Sequence, residues 1–140
     1  MHSSDCSARC SPQSFKTEGG KSNNGQMAII TTAEQLLYAF VEEYFSAGFM
    51  NREEVKVRKT LLPPLYFQHP GHSLTIIGFE KFKDGTRGLL VFDPMFNNSP
   101  GMMNLIGHHL AHSRRPWDLL HAYRRQGKYL RRYQEFEVLR

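Results

Sequence analysis

Residues 63–94 read PPLYFQHPGHSLTIIGFEKFKDGTRGLLVFDP. Their pattern predicts three extended segments: 63–69, 73–82 and 88–92. The second segment is rich in β-branched and aromatic residues, which pack well on a pleated sheet. The third, GLLVF, is short and apolar throughout, as in a strand that is buried on both faces. Asp84-Gly85 between these two segments predicts a tight hairpin, because glycine accepts the positive φ that such turns require.

The predicted hairpin brings two distant polar residues together at its open end. His72 precedes the second segment and Asp93 follows the third, so we expect the two side chains to be neighbours. Asp93 can accept a hydrogen bond from one imidazole nitrogen, which leaves the other nitrogen facing a nucleophile. Gln68, upstream of His72, is a possible donor to a developing oxyanion. The structural alternative is a solvated or core histidine beside an Asp-Pro turn.

The same stretch resembles the C-terminal half of the papain-like cysteine peptidases that act on ubiquitin and the ubiquitin-fold modifier. The shared pattern is an apolar run, Gln-His, Gly-His-Ser, an apolar strand, a turn, and then Asp-Pro. The more similar branch is that of the zinc-finger-associated ubiquitin peptidases and their fungal relatives. The modifier-specific branch has Asp-Pro-His where this chain has Asp93-Pro94-Met95. The resemblance covers residues 31–140 and is concentrated in residues 63–94.

The resemblance implies both a fold and a site. The implied fold class is α+β, a partial papain-like cysteine peptidase fold with an antiparallel β-sheet and flanking helices. The implied catalytic residues are His72 as general base, Asp93 as the carboxylate that orients it, and Gln68 as an oxyanion-hole donor. The implied partner is ubiquitin or a ubiquitin-like protein. Neither a cofactor nor a metal ion is implied.

The family's nucleophile has no counterpart in the sequence. In papain-like enzymes the nucleophile is a cysteine far upstream of the histidine. The two cysteines of this chain, Cys6 and Cys10, lack the cationic or helix N-terminal setting of a reactive thiolate, and also the second ligand pair of a zinc site. We therefore interpret the chain as a truncated or inactive member of the family. The alternative is a non-enzymatic binding module.

Length and composition indicate one domain of ordinary size. The chain has 140 residues, of which 40% are hydrophobic and 22% are charged. We see neither an apolar run of membrane-spanning length nor a secretory leader, so we expect an intracellular protein, cytoplasmic or nuclear, that does not bind membranes. Residues 1–26 are rich in Ser, Gly, Asn and Lys and are expected to form a disordered tail. Residues 27–140 then form the peptidase-like part.

Helical patterns lie on both sides of the predicted hairpin. Residues 31–47 carry a broad apolar stripe, with Thr31 and Glu34 at capping-box spacing. Downstream, the pattern predicts two helices and a final strand: residues 101–113, 116–127 and 129–139. In the alternative interpretation, residues 130–133 are still helical. His108 and His112 would share one face of the first of these helices. Because no third ligand is evident, a polar helix face is a simpler interpretation than a zinc site.

The net charge of +5 is concentrated in residues 101–140. Such a cluster is typical of a solvated face or of contact with an acidic protein surface, and nucleic acid is the less favoured alternative. A second expectation concerns the sheet, whose central segments are apolar on both faces and need cover on both. Because few helices are predicted, we expect an apolar patch beside His72 and self-association through it.

Overall fold

The computed structural model describes residues 12–17, 31–49, 56–105 and 116–140. Its strands are β1 Gln13–Lys16, β2 Leu65–His69, β3 His72–Lys81, β4 Arg87–Phe92, β5 Arg124–Gln126 and β6 Glu135–Leu139. Its helices are α1 Ala33–Ala47, α2 Pro100–Leu105, α3 Pro116–Leu120 and α4 Gly127–Leu130, with a 3₁₀ turn at His121–Tyr123. The strands form one antiparallel sheet in the order β1-β6-β2-β3-β4-β5. The predicted α+β fold is confirmed.

Two tight turns connect the central strands, and the register between β3 and β4 shifts once, between Ile76 and Gly78. Asp84-Gly85 joins β3 to β4 as predicted, with Gly85 at φ 83° and Asp84 accepting hydrogen bonds from the backbone and hydroxyl of Thr86. Pro70-Gly71 joins β2 to β3, and Gly71 has φ 85°. Proline followed by a glycine at positive φ is typical of a type II turn. The positive φ that each turn requires therefore explains why glycine occupies both positions.

One face of the sheet, here called the inner face, packs against α1. The strands bury these side chains there: Leu65, Phe67, Leu74, Ile76, Leu89, Val91, Phe136 and Val138. Helix α1 contributes Ala33, Leu37, Tyr38, Val41 and Phe45 to the same cluster. Burying an aliphatic or aromatic side chain of this size contributes roughly 1.5–3 kcal/mol. The inner face therefore holds the hydrophobic core and fixes the strand ends that matter below.

The opposite face of the sheet, here called the outer face, is partly open. Tyr66, Thr75 and Phe92 are cross-strand neighbours on it, and Phe92 is 55% exposed. The prediction that the GLLVF segment is buried on both faces is therefore wrong: Leu89 and Val91 are buried, but their neighbour Phe92 is not. Successive side chains of a strand point to opposite faces of the sheet, and one helix can cover only one of these faces. The apolar patch beside His72, and self-association through it, stay predictions.

Helix α1 begins two residues later than predicted. Thr32 is its N-cap, with Thr32 Oγ1 accepting from the Gln35 amide at 3.3 Å and Gln35 Oε1 accepting from the Thr32 amide at 3.0 Å. The capping box is thus shifted by one residue from Thr31 and Glu34. This register directs Ala33 into the core and leaves the Glu34 carboxylate free for an ion pair with Arg131. The helix ends at Ala47, before Gly48, as predicted.

Strand β1 lies within the segment that was expected to be a disordered tail. Residues 13–16 pair with β6, and the Phe15 ring packs against Phe40 with 5.3 Å between ring centroids. The backbone ladder and one aromatic contact order a polar segment whose composition alone predicts disorder. Residues 1–11 and 18–26 of that tail, with Cys6 and Cys10, lie outside the described residues.

The C-terminal region also differs from the prediction. The helix that begins at Pro116 ends at Leu120, and β5 occupies residues expected to be helical. The reason is tertiary, since β5 pairs with β4. The last strand begins at Glu135 and not at residue 129, because Gly127–Leu130 is helical and the chain turns at Arg131 and Arg132 before the strand. His108 and His112 lie outside the described residues.

Among the helices that the structure describes, none is long and apolar enough to cross a membrane.

Candidate active site

The open end of the β3–β4 hairpin brings His72 and Asp93 together. His72 is the first residue of β3, and Asp93 directly follows β4. His72 Nε2 lies 2.9 Å from Asp93 Oδ1. The predicted contact between the two side chains is confirmed. Their side chains are 22% and 15% exposed, so the pair is sheltered but accessible from solvent.

The hydrogen bond determines which nitrogen of His72 is available for chemistry. An ionised carboxylate only accepts hydrogen bonds, so Nε2 carries the proton that points at Asp93. In the neutral imidazole Nδ1 then has a lone pair. No group within the described ranges forms a hydrogen bond with Nδ1. The arrangement can therefore accept a proton at Nδ1 from a group placed beside the ring.

Asp93 is held at both of its oxygens. Oδ1 also accepts from the Met95 amide at 3.0 Å, and Oδ2 accepts from Arg125 Nη2 at 2.9 Å. Partial burial raises the pKa of Asp93, but the hydrogen bonds from His72, Met95 and Arg125 outweigh it, so that the net pKa lies below its ordinary value. Asp93 is therefore ionised at neutral pH.

Arg125 is a site residue that the sequence did not predict. It lies on β5, next to β4, and Nη1 donates to the carbonyl oxygens of Ala122 at 2.8 Å and Arg124 at 3.1 Å. Its guanidinium carbon lies 5.1 Å from the centroid of the Tyr129 ring. In the sequence, Arg125 was one of several C-terminal basic residues. No local signal separates it from them, because its role depends on the pairing of β5 with β4.

His69 forms a buried wall of the site. Its Nδ1 lies 3.2 Å from the carbonyl oxygen of Pro70, which can only accept, so Nδ1 carries the proton. The hydroxyl of Tyr129 then donates to Nε2 at 2.6 Å. The ring stacks on Tyr133 at 3.8 Å and lies 5.9 Å from the His72 ring, between centroids. Burial lowers the pKa of His69, which favours the neutral ring.

His69 could have been found from the sequence. The Pro70-Gly71 pair between two extended segments marks a two-residue turn, and such a turn makes His69 and His72 cross-strand partners. Cross-strand partners share one face of a sheet. The sequence HPGH therefore places both rings side by side, which the sequence analysis missed.

Gln68 is not brought to the His72–Asp93 pair. It alternates with Phe67 and His69, whose side chains are on the inner face, so Gln68 lies on the outer face. There its Oε1 is 3.4 Å from the hydroxyl of Tyr66. Its role as an oxyanion-hole donor stays a prediction, and this placement does not favour it.

Among the described residues, no group of three or more His, Cys, Asp or Glu side chains could hold a metal ion.

Acidification is expected to destabilise the fold because of His69. Its folded pKa is lowered, so the unfolded chain takes up the proton first, below its ordinary pKa of about 6.5. The stabilisation is complete above that value and is lost as the pH falls from it toward the folded pKa. Thermal unfolding between pH 7.5 and pH 5.5 measures the effect. H69F should flatten the pH dependence, whereas H121F, at an exposed position, should not; equal slopes for both variants would contradict this assignment.

Comparisons with known proteins agree with this architecture. A sequence model described as Peptidase family C78 matches residues 13–139. Over 58 residues the chain is 43% identical to zinc finger-containing ubiquitin peptidase 1 of Macaca fascicularis and 41% identical to that of Homo sapiens. Each matched segment is 41% of this chain and 10% of the relative, so the chain matches only about a tenth of these proteins. The family match, in contrast, includes all six strands, and the chain belongs to Peptidase family C78.

Proposed function

We propose that this chain carries the proton-transfer half of a thiol peptidase site directed at ubiquitin or a ubiquitin-like protein. The observation that supports this most strongly is the His72–Asp93 hydrogen bond of 2.9 Å at neighbouring strand ends. It leaves Nδ1 of His72 available in a chain of Peptidase family C78. The choice of partner follows from similar relatives that are named ubiquitin peptidases.

In a complete site the reaction would need a cysteine thiol beside His72. Nδ1 would take the thiol proton, and the thiolate would attack the carbonyl carbon of the modifier's C-terminal glycine. As the bond to the leaving amine breaks, the imidazolium would return the proton to that amine. Water would then hydrolyse the thioester by the same route. Asp93 would stabilise the imidazolium and keep Nε2 directed away from the substrate.

We further propose that this chain by itself binds its modifier without cleaving it. Support comes from the sequence, whose cysteines are Cys6 and Cys10, and from the described ranges, which contain no cysteine. A cysteine at the start of a helix, encoded upstream in the same reading frame, would favour a part of a longer peptidase. A reading frame without such a cysteine would favour an inactive relative that is retained for binding.

Part of the positive charge that the nucleic-acid alternative would use is already paired within the chain. Three basic residues of the C-terminal region are ion-paired: Arg124 with Glu80, Arg125 with Asp93, and Arg131 with Glu34. Cations that are already paired offer little to a phosphate backbone, whose binding depends on free positive charge. An RNA oligonucleotide therefore serves as the negative control in the experiment that follows.

Ubiquitin is expected to bind at the strand ends around His72. The measurement is a titration of the ¹⁵N-labelled chain with ubiquitin, with the ubiquitin-fold modifier, and with ubiquitin that lacks its C-terminal glycines. We expect saturable shifts near His72 with at least one intact modifier, and loss of these shifts with the shortened form.

A bulky substitution at the site provides the matched control. H72W should weaken binding at least tenfold, or about 1.4 kcal/mol, because the indole would fill the space beside Nδ1. H121W, at an exposed position on the 3₁₀ turn, should bind as the wild type does. The proposal would be overturned if no modifier caused any shift. It would also be overturned if RNA were the ligand that causes shifts, confined to the basic C-terminal region.

A further inference from the structure

We infer that Arg125 is a positioning residue for this site, which holds the Asp93 carboxylate ionised and directed at His72. Arg125 Nη2 donates to Asp93 Oδ2 at 2.9 Å, whereas Oδ1 faces His72 Nε2, also at 2.9 Å. The catalytic meaning of this arrangement rests on the proposed function. The arrangement itself concerns three side chains of this chain and is testable without any substrate.

Asp93 needs such a support because it lies beyond the end of its strand. Strand β4 ends at Phe92, and Pro94 has no amide hydrogen to donate to the Asp93 carboxylate. The amide of Met95 donates to Oδ1, the oxygen that also faces His72. Without Arg125, Oδ2 would have no hydrogen-bond donor among the described residues, and the carboxylate could rotate about its χ2 angle. Donors on both oxygens fix the plane of the carboxylate.

Arg125 is itself fixed before it meets Asp93. Its side chain is 13% exposed, and Nη1 donates to two backbone carbonyl oxygens, those of Ala122 and Arg124. The ring of Tyr129 lies under the guanidinium, and its hydroxyl is held by His69. A lysine ammonium carries the same charge, but it lacks the planar guanidinium that can donate to a carboxylate and to two carbonyl oxygens at once. The contacts therefore favour arginine at this position.

The charge of Arg125 acts on Asp93 because its other neighbours are neutral. Burial raises the pKa of Tyr129, so its phenol keeps its proton at physiological pH, and burial lowers the pKa of His69. Within the described ranges, Asp93 is the one acidic group that is ion-paired with Arg125. The positive charge thus helps to keep the Asp93 carboxyl ionised and able to accept the hydrogen bond from His72.

Arg124 supplies a matched control. It precedes Arg125 on β5, and its side chain is 8% exposed, so the two arginines are similarly buried. It also forms an ion pair, with Glu80, through two hydrogen bonds of 2.6 and 2.8 Å. Because successive side chains of a strand point to opposite faces, the Arg124 side chain lies on the other face of the sheet, away from Asp93. Replacing either arginine removes a comparable ion pair, but only one replacement affects the site.

The test compares R125Q, R125K and R124Q by nuclear magnetic resonance. We expect R125Q to raise the pKa of the ¹³C-labelled Asp93 carboxyl and to weaken the downfield proton signal of His72 Nε2–H. Both signals of R125K should lie between those of R125Q and the wild type, because lysine restores the positive charge but not the planar set of donors. R124Q should leave both signals at their wild-type values. Unchanged signals in R125Q, or equal changes in R124Q, would overturn the inference.

A second measurement on the wild type covers the case in which R125Q does not fold. The ¹⁵N resonances of the Arg125 guanidinium should shift with pH at the same midpoint as the Asp93 carboxyl. Independent titration would show that the two groups are not coupled, and would overturn the inference. Both measurements need neither modifier nor turnover. Failure of the ubiquitin titration therefore tests the proposed function alone, and failure here tests the role of Arg125 alone.

Discussion

Ubiquitin with a fluorogenic amide at its C-terminus is expected to remain uncleaved when it is incubated with this chain. The described part of the site contains the proposed base, His72, and the carboxylate of Asp93, but no thiol lies in the described ranges. Loss of the nucleophile of a triad costs on the order of 10⁶ in turnover. The release of fluorophore, followed over hours, should therefore equal the rate in buffer alone.

The two cysteines provide the control for this result. C6S and C10S should behave as the wild type does, and a ubiquitin probe with a C-terminal vinyl group should form no adduct. An adduct mapped to Cys10 by mass spectrometry would contradict the prediction, provided that it is absent from C10S. If that adduct also disappeared in H72A, Cys10 would have to be the nucleophile that His72 serves.

The replacement of Phe67 by alanine is expected to have the largest effect on stability. Phe67 is fully buried at the centre of β2, with the rings of Phe136 and His69 at 5.5 and 5.9 Å between centroids. Truncation leaves a cavity under His69 and should cost about 3–5 kcal/mol. Because domains are commonly stable by only about 5–15 kcal/mol, F67A should unfold at a much lower denaturant concentration.

The control for F67A is the same replacement on the outer face. Phe92 is 55% exposed, so F92A should cost only about 0.5 kcal/mol, as is common for surface substitutions. Urea unfolding of both variants, followed by circular dichroism, gives the comparison. Similar losses in the two variants would show that the outer face is packed as tightly as the inner face, against the arrangement described above.

The proximity of His72 and Asp93 was predictable because one local turn leads to it. Asp84-Gly85 fixes one turn, and the two apolar segments that it joins extend to the residues in question. The turn determines which residues face each other only as far as Gly78. Between Ile76 and Gly78 the register shifts by one residue, and this shift, which the sequence did not predict, places His72 on the same face as Asp93. The resemblance to a peptidase family then gave the pair its chemical meaning.

The face on which Gln68 lies has a simple geometric reason, and its role as an oxyanion-hole donor stays a prediction. Spacing from His72 suggested proximity, but the period of two along a strand places Gln68 on the other face from His69. The Pro70-Gly71 turn makes His69, not Gln68, the direct partner of His72. An assignment of faces from that turn would have predicted both facts.

The contacts of Arg125 and Phe15 could not be predicted from local patterns. Arg125 reaches Asp93 only because β5 pairs with β4, and Phe15 is ordered only because β1 pairs with β6. Each pairing brings a short, polar segment, β1 or β5, to a strand that is distant along the chain. Such pairings are stabilised by the finished sheet rather than by their own propensities, since tertiary context decides strand formation at edges.

The pairing of β1 with β6 also determines how the sheet responds to tension. Gln13 lies opposite Val138, so the start of the first strand and the end of the last strand are neighbours. A pull on both ends of the chain would load the ladder one hydrogen bond at a time, as in a zipper. Little force is needed to open such a geometry, since no two bonds share the load. Peeling β1 away would then uncover the backbone edge of β6, while the hairpin that carries His72 and Asp93 stays closed.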